Sequence, residues 1–194
     1  QGSVDSLICT DVTIEAKKDV TFCYYIAAGK SFDEVFELAE KFLKKGVDKH
    51  LQHSQMCQRG WLGSIRPNIK ILDERLQQLY KKSLLIIKTQ IDHSGAIIAA
   101  NDSDNMEFSR DTYSYMWPRD GALVAITLIK IGYADMTKKF FEFCRDVLYE
   151  EGCLLHKYNP DKTLGSSWHP WILNGRLSLP IQEDETALVL YALW

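Results

Sequence analysis

The chain has 194 residues, 46% of them hydrophobic and 25% charged, with a formal net charge of −3. That length can bury one respectable core, and the composition is that of an ordinary globular protein. The slight acidic excess excludes a general nucleic-acid binder or a basic membrane-surface protein, and no apolar run reaches the roughly 18 residues of a spanning helix. Neither nucleic acid nor membrane is therefore expected as a partner. Cysteines 9, 23, 57, 144 and 153 are odd in number and show no CxxC or Cys/His ligand spacing. They read as free thiols in a reducing compartment, which points to the cytoplasm.

Residues 4–28 alternate with a period of two. Ile8, Thr10, Val12 and Ile14 share one face, and Val20, Phe22, Tyr24 and Ile26 share another. With Lys17-Lys18-Asp19 as the turn, this predicts a β-hairpin that closes a larger sheet, since two strands alone are marginal. From Ser31 the period becomes helical. Ser31 and Glu34 form a capping-box pattern, and Phe32, Val35, Phe36, Ala39, Phe42 and Leu43 lie on one stripe. A second helix is predicted over 68–91, with Leu72, Leu76, Leu79, Ile86 and Ile87 facing inward. An apolar crossing at 95–100 and a polar loop at 101–110 follow.

Residues 121–131 carry one charge and are apolar nearly all round, which predicts a fully buried helix ended by Gly132. Residues 134–149 are amphipathic, with Phe140, Phe141, Cys144, Val147 and Leu148 against Lys138, Lys139, Glu142 and Arg145. After a long loop with prolines and tryptophans, 186–194 is again apolar all round. Alternation of buried and half-buried helices is what two concentric helical layers require, and an α/α toroid is the simplest such architecture. Its inner helices would all point the same way, so the starts of the helices near Asp120 and Asp184 should converge on one pocket.

The run Tyr113-Ser114-Tyr115-Met116-Trp117-Pro118-Arg119-Asp120-Gly121 packs aromatic faces, one fixed cation and one carboxylate ahead of the first buried helix. Sugars are bound by this mixture: rings stack on Trp and Tyr, and charged side chains read the hydroxyls. Asp120 alone reads as an N-cap, worth about 1 kcal/mol. Arg119 beside it argues for a polyol or anionic partner, because a buried guanidinium needs one. Gln182-Glu183-Asp184-Glu185 opens the second helix. Adjacent acids there satisfy the macrodipole without catalysis, so none is assigned as an acid or base. Trp168 and Trp171 either pack on the barrel rim or form an aromatic platform for sugar. Asp102-Ser103-Asp104 begins like a calcium loop but lacks its glycine and terminal glutamate. No Gly-rich phosphate loop, nucleophile elbow or metal motif appears, so neither cofactor nor metal is expected.

The 113–121 run resembles the first active-site motif of glycoside hydrolase family 15, the glucoamylase family. The segment Leu179-Pro180-Ile181-Gln182-Glu183-Asp184-Glu185-Thr186-Ala187-Leu188 resembles a second. The resemblance runs from about Ser31 to Trp194. It implies a mainly α fold, with 31–194 forming linker helices and the first part of an (α/α)6 catalytic barrel. Residues 1–30 would be the C-terminal end of a preceding β-sandwich domain. The implied activity is that of an inverting exo-α-glucosidase on α-glucan oligosaccharides or polysaccharides. A trehalase acting on trehalose, a glucodextranase, or a non-catalytic helical carbohydrate-binding protein are the alternatives. It also implies that Asp120 accepts from the 4- and 6-hydroxyls of the non-reducing glucose and that Arg119 donates to the 4-hydroxyl oxygen. Trp117 would be an apolar wall, Tyr113 and Tyr115 would lie near the cleaved bond, and Gln182 and Asp184 would line the pocket. In that family the general acid and base glutamates lie on later inner-helix loops, so no catalytic residue is expected in these 194. The start at Gln1-Gly2-Ser3 and the end at Leu193-Trp194, in mid-pattern, fit a piece of a longer protein.

Overall fold

The computed structural model describes residues 7–101, 112–167 and 171–194. It is mainly helical, with one small two-stranded hairpin. The chain divides into two compact units, Gln1–Cys57 and Gln58–Trp194.

In the first unit, α1 (Phe32–Lys45) starts as its sequence predicts. Ser31 Oγ accepts from Glu34 N at 3.2 Å, which satisfies one orphan donor of the helix start, and Glu34 Oε2 reaches back past the cap to accept from Lys30 N at 2.7 Å. Phe42 stacks between Tyr25 and His50, with centroid distances of 5.0 and 4.2 Å. The hairpin expected over 4–28 is only half realised. Its turn is present, with Lys18 N donating to Glu15 O and Lys17 at φ 63, but no strand pairing joins its two arms among the described residues. Ile8, Ile14, Phe22, Tyr24 and Ile26 are all exposed. Two strands without a third have no face to bury, and the ladder is not held.

The second unit contains the end of α2 (Val47–Leu62), α3 (Glu74–Thr89), α4 (Pro118–Ile131), α5 (Ala134–Asp146), the strands β1 (Ile172–Leu173) and β2 (Arg176–Leu177), and α6 (Glu183–Leu193). α3 is capped by Asp73, whose Oδ1 accepts from Leu76 N at 2.9 Å. Its buried face is the predicted one only at Ile87. Leu84 is buried beside Leu128, Ile131 and Tyr133, with Tyr80 and Ile87 packed against them, whereas Leu76, Leu79 and Ile86 are exposed. The helix carries two apolar stripes, and the contact with α4 selects only one of them.

α4 ends at Gly132, whose φ of 102 only glycine adopts without strain. Tyr133 N donates back to Leu128 O at 2.8 Å, and α5 follows at once as the second arm of an αα-hairpin. α5 buries Thr137, Phe140, Phe143 and Cys144, while Leu148, placed on its inner face by the sequence pattern, is exposed beyond the helix end. A Cβ at Gly121 would overlap the buried Phe140 ring, which is why α4 and α5 approach so closely here. Gly121→Ala in the full-length protein is therefore expected to lower stability by about 1–3 kcal/mol. An unchanged denaturation midpoint would mean that the ring moves aside freely.

α4 packs against α6 and α5, and Ala122, Ala125, Phe140, Phe143, Val189 and Ala192 share one core cluster. α6 is buried on one side only: Leu190, Tyr191, Leu193 and Trp194 are exposed, although the sequence predicts an all-round buried helix. Among the described residues nothing packs on that face. Backbone bridges tie the motif run to this core. Met116 N and O exchange hydrogen bonds of 2.9 Å each with Tyr158, Ile98 pairs with Met116, and Tyr158 pairs with Leu164. β1 and β2 turn through Asn174 and Gly175, with φ of 52 and 75, the left-handed pair that a two-residue hairpin requires. Among the described residues no helix is long and apolar enough to cross a membrane.

Candidate functional site

Pro118 takes the first position of α4, where its fixed φ is suited to a helix and its missing N–H goes unused. This moves the helix start back to Trp117 and places Arg119 and Asp120 in the first turn. Asp120 is therefore not the N-cap, a role its sequence position allowed, and no side chain caps α4. Its carboxylate instead faces Arg119, with Oδ2 at 3.4 Å from Nη2. α6 likewise starts without a side-chain cap, after Gln182. Gln182 Oε1 accepts from Arg119 Nη1 at 2.5 Å, and Asp184 Oδ2 lies 3.5 Å from the same nitrogen.

One guanidinium thus joins two helix starts 63 and 65 positions apart in the chain. The convergence expected from inner helices pointing the same way is what the contacts show. Arg119 is 32% exposed, and Asp120 and Asp184 are 52% and 54% exposed, so all three can reach a bound molecule. Asp120 also lines an open groove of about 400 Å³ whose other walls include Ile86, Ile97, Ile98 and Leu123. An apolar groove with a charged rim suits a sugar, which has apolar C–H faces and hydroxyl edges.

Glu185 differs from its two acidic neighbours. It is 0% exposed, its Oε1 is 3.8 Å from Arg119 Nη1, and neither carboxyl oxygen has a hydrogen-bond partner among the described residues. Burial raises its pKa to about 8, and the carboxylates of Asp184 and Asp120 add to the rise while Arg119 opposes it.

The aromatic part of the run forms a cluster beside these groups. Trp117 is almost wholly covered, with Tyr113 and Tyr115 rings both 5.8 Å away, so it is the floor of the cluster and Tyr113 its open rim. Trp117 Nε1 donates to His156 Nε2 at 3.2 Å. That fixes the proton on His156 Nδ1, which lies 3.2 Å from Ser167 Oγ. The Lys157 ammonium sits 4.3 Å from the Tyr115 ring centroid and 5.1 Å from that of Trp117, a cation–π contact in a buried place. Sequence reasoning missed His156 and Lys157, and set Glu185 aside. Trp171 is exposed beside β1. Trp168 and the calcium-like Asp102-Ser103-Asp104 lie outside the described residues. Among the described residues no group of three His, Cys, Asp or Glu could hold a metal ion.

An arginine, an amide and three carboxyl groups gathered at two helix starts, beside a tyrosine–tryptophan cluster, make a mixture of the kind that suits a carbohydrate ligand. Comparison with known proteins gives a likeness of the same kind. Residues 74–160 match the sequence profile of the glycosyl hydrolases family 15, a stretch that holds Arg119 and Asp120, and the chain is glycosyl hydrolase family 15-like. It is 25% identical over 196 aligned residues to an uncharacterized glycosyl hydrolase of Methanocaldococcus jannaschii, covering 97% of this chain and 29% of that protein. The chain therefore spans less than a third of the length of that relative. No solved structure matches it.

Proposed function

We propose that the full-length protein is an inverting exo-α-glucosidase that releases glucose from the non-reducing ends of α-glucans. One observation carries the reading: Arg119 and Asp120 of one helix start are held against Gln182 and Asp184 of another. In this reading, residues 31–194 supply linker helices and the first part of a toroidal catalytic barrel, and 1–30 the end of a β-sandwich domain. Asp120 accepts from the 4- and 6-hydroxyls of the terminal glucose, and Arg119 donates to its 4-hydroxyl oxygen. Tyr113 and Tyr115 stand toward the cleaved bond, over Trp117. A glutamic acid protonates the leaving oxygen and a glutamate activates water from the opposite face, both from elsewhere in the protein. The five free cysteines support a reducing, cytoplasmic setting.

The test is to incubate the full-length protein with maltotriose, isomaltose and trehalose and to follow the glucose anomer by proton NMR. β-Glucose from maltotriose is the expected product. Hydrolysis of isomaltose alone would make the protein a glucodextranase, and of trehalose alone a trehalase. Binding of maltotriose without hydrolysis would leave a carbohydrate-binding protein.

A further inference from the structure

The guanidinium of Arg119 has more carboxylates around it than it can neutralise. Asp120 and Asp184 are half-exposed and keep water on their charge, but Glu185 is covered completely and no donor reaches either of its oxygens among the described residues. An ionised carboxyl without hydrogen bonds is the costliest state such a group can take, so the proton of the cluster belongs on Glu185. Its place in the first turn of α6 and the nearby Arg119 pull the other way, and so decide how strongly the proton is held. Among the described residues, Cys144 on α5 and Tyr158 of the bridged segment also interact with its charge.

We propose that Glu185 is a positioning residue that works as a neutral carboxylic acid, keeping Arg119 turned outward onto Gln182 and Asp184 where it can grip a sugar. When Glu185 loses its proton, its new charge 3.8 Å away draws Nη1 inward and off Gln182 Oε1. The grip on the sugar then weakens. The proposal rests on the α-glucosidase reading for its ligand, glucose, and on the buried geometry alone for the protonation state. Burial places the Glu185 ionisation at about 8, and burial likewise raises Cys144 and Tyr158 to about 12, so of these three groups Glu185 alone titrates between pH 6.5 and 9.5.

The experiment uses the full-length protein, its Glu185→Gln variant, glucose as the probe and two readouts. In the infrared difference between wild type and Glu185→Gln at pH 6.5, the C=O stretch of a protonated carboxyl is expected, and it should vanish by pH 9.5. If the variant does not fold, the wild type's own difference between the two pH values carries the same band. Calorimetric titration with glucose should give equal affinities for the two proteins at pH 6.5. At pH 9.5 the wild type should bind about tenfold more weakly and Glu185→Gln unchanged. Absence of the carboxyl band, or a variant whose affinity falls with pH as the wild type's does, overturns the proposal. A variant already tenfold weaker at pH 6.5 also overturns it, because Glu185 would then act ionised. A wild type that shows the band but binds no glucose at any pH refutes the α-glucosidase reading, and with it the role of Glu185 in gripping sugar.

Discussion

Asp120→Asn in the full-length protein is expected to lower kcat/KM for an α-glucan by about 10²–10³-fold while leaving the fold intact. A hydrogen bond to a charged group contributes about 1.5–3 kcal/mol, and Asp120 is assigned two sugar hydroxyls. The amide keeps the shape and one acceptor but loses the charge, and its nitrogen would meet the hydroxyl that the second oxygen had accepted from. The fold should survive because Asp120 caps nothing and is half-exposed. Its ion pair with Arg119 at 3.4 Å is partly solvated, and such pairs contribute about 1 kcal/mol or less. Asp184→Asn should cost less activity, because Gln182 still holds the same nitrogen of Arg119 at 2.5 Å. Steady-state kinetics with a denaturation midpoint for each variant separates the two effects. Near-normal turnover in Asp120→Asn would reduce that residue to a first-turn acid that favours the macrodipole.

Much of this was legible in the sequence, and each miss has a physical cause. Some helix ends could be read locally: Ser31 with Glu34 acts within a few residues of itself, and Gly132 stops α4 by its own backbone freedom, whereas the start of α4 was set by Pro118 and not by Asp120. Alternation over 4–28 gives the faces of a strand but not its partners, so among the described residues the turn forms and the ladder does not. The opposite happened at Asn174-Gly175, where the turn signal was in plain view but lay inside a stretch read as loop. For α3, periodicity put Ile87 inward correctly but chose Leu76 and Leu79 over Leu84, because that choice belongs to the neighbouring helix.

The site divides along the same line. Arg119, Asp120, Gln182 and Asp184 could be paired from the argument that inner helices point one way, and a single guanidinium joins them. His156 and Lys157 could not, since they reach Trp117 and Tyr115 only through backbone pairing of Met116 with Tyr158. Glu185 carried a signal that went unused. It stands four and seven positions before Val189 and Ala192, the buried residues of α6, so it continues their stripe into the core. Glu183 and Asp184, with the same charge in the same turn, do not.

That buried carboxyl should leave its mark on stability as well as on sugar binding. Folding raises the Glu185 pKa from an ordinary 4.5 to about 8. Between those values the folded chain holds a proton that the unfolded chain has released, so stability falls as pH rises through that window and levels off above it. Below about 4.5 both states are protonated and the penalty is absent. With relaxation around the half-exposed pairs of Arg119, the loss between pH 4.5 and 9 is expected to be on the order of 3–5 kcal/mol. Glu185→Gln keeps the size of the neutral acid and cannot ionise. It should match the wild type near pH 4.5 and be the more stable protein at pH 9. Urea denaturation of both full-length proteins at the two pH values gives the comparison, with the difference between the two pH responses isolating this one group. Parallel losses in both proteins would assign the alkaline instability to other residues, and would mean that the fold opens to solvate Glu185 at little cost.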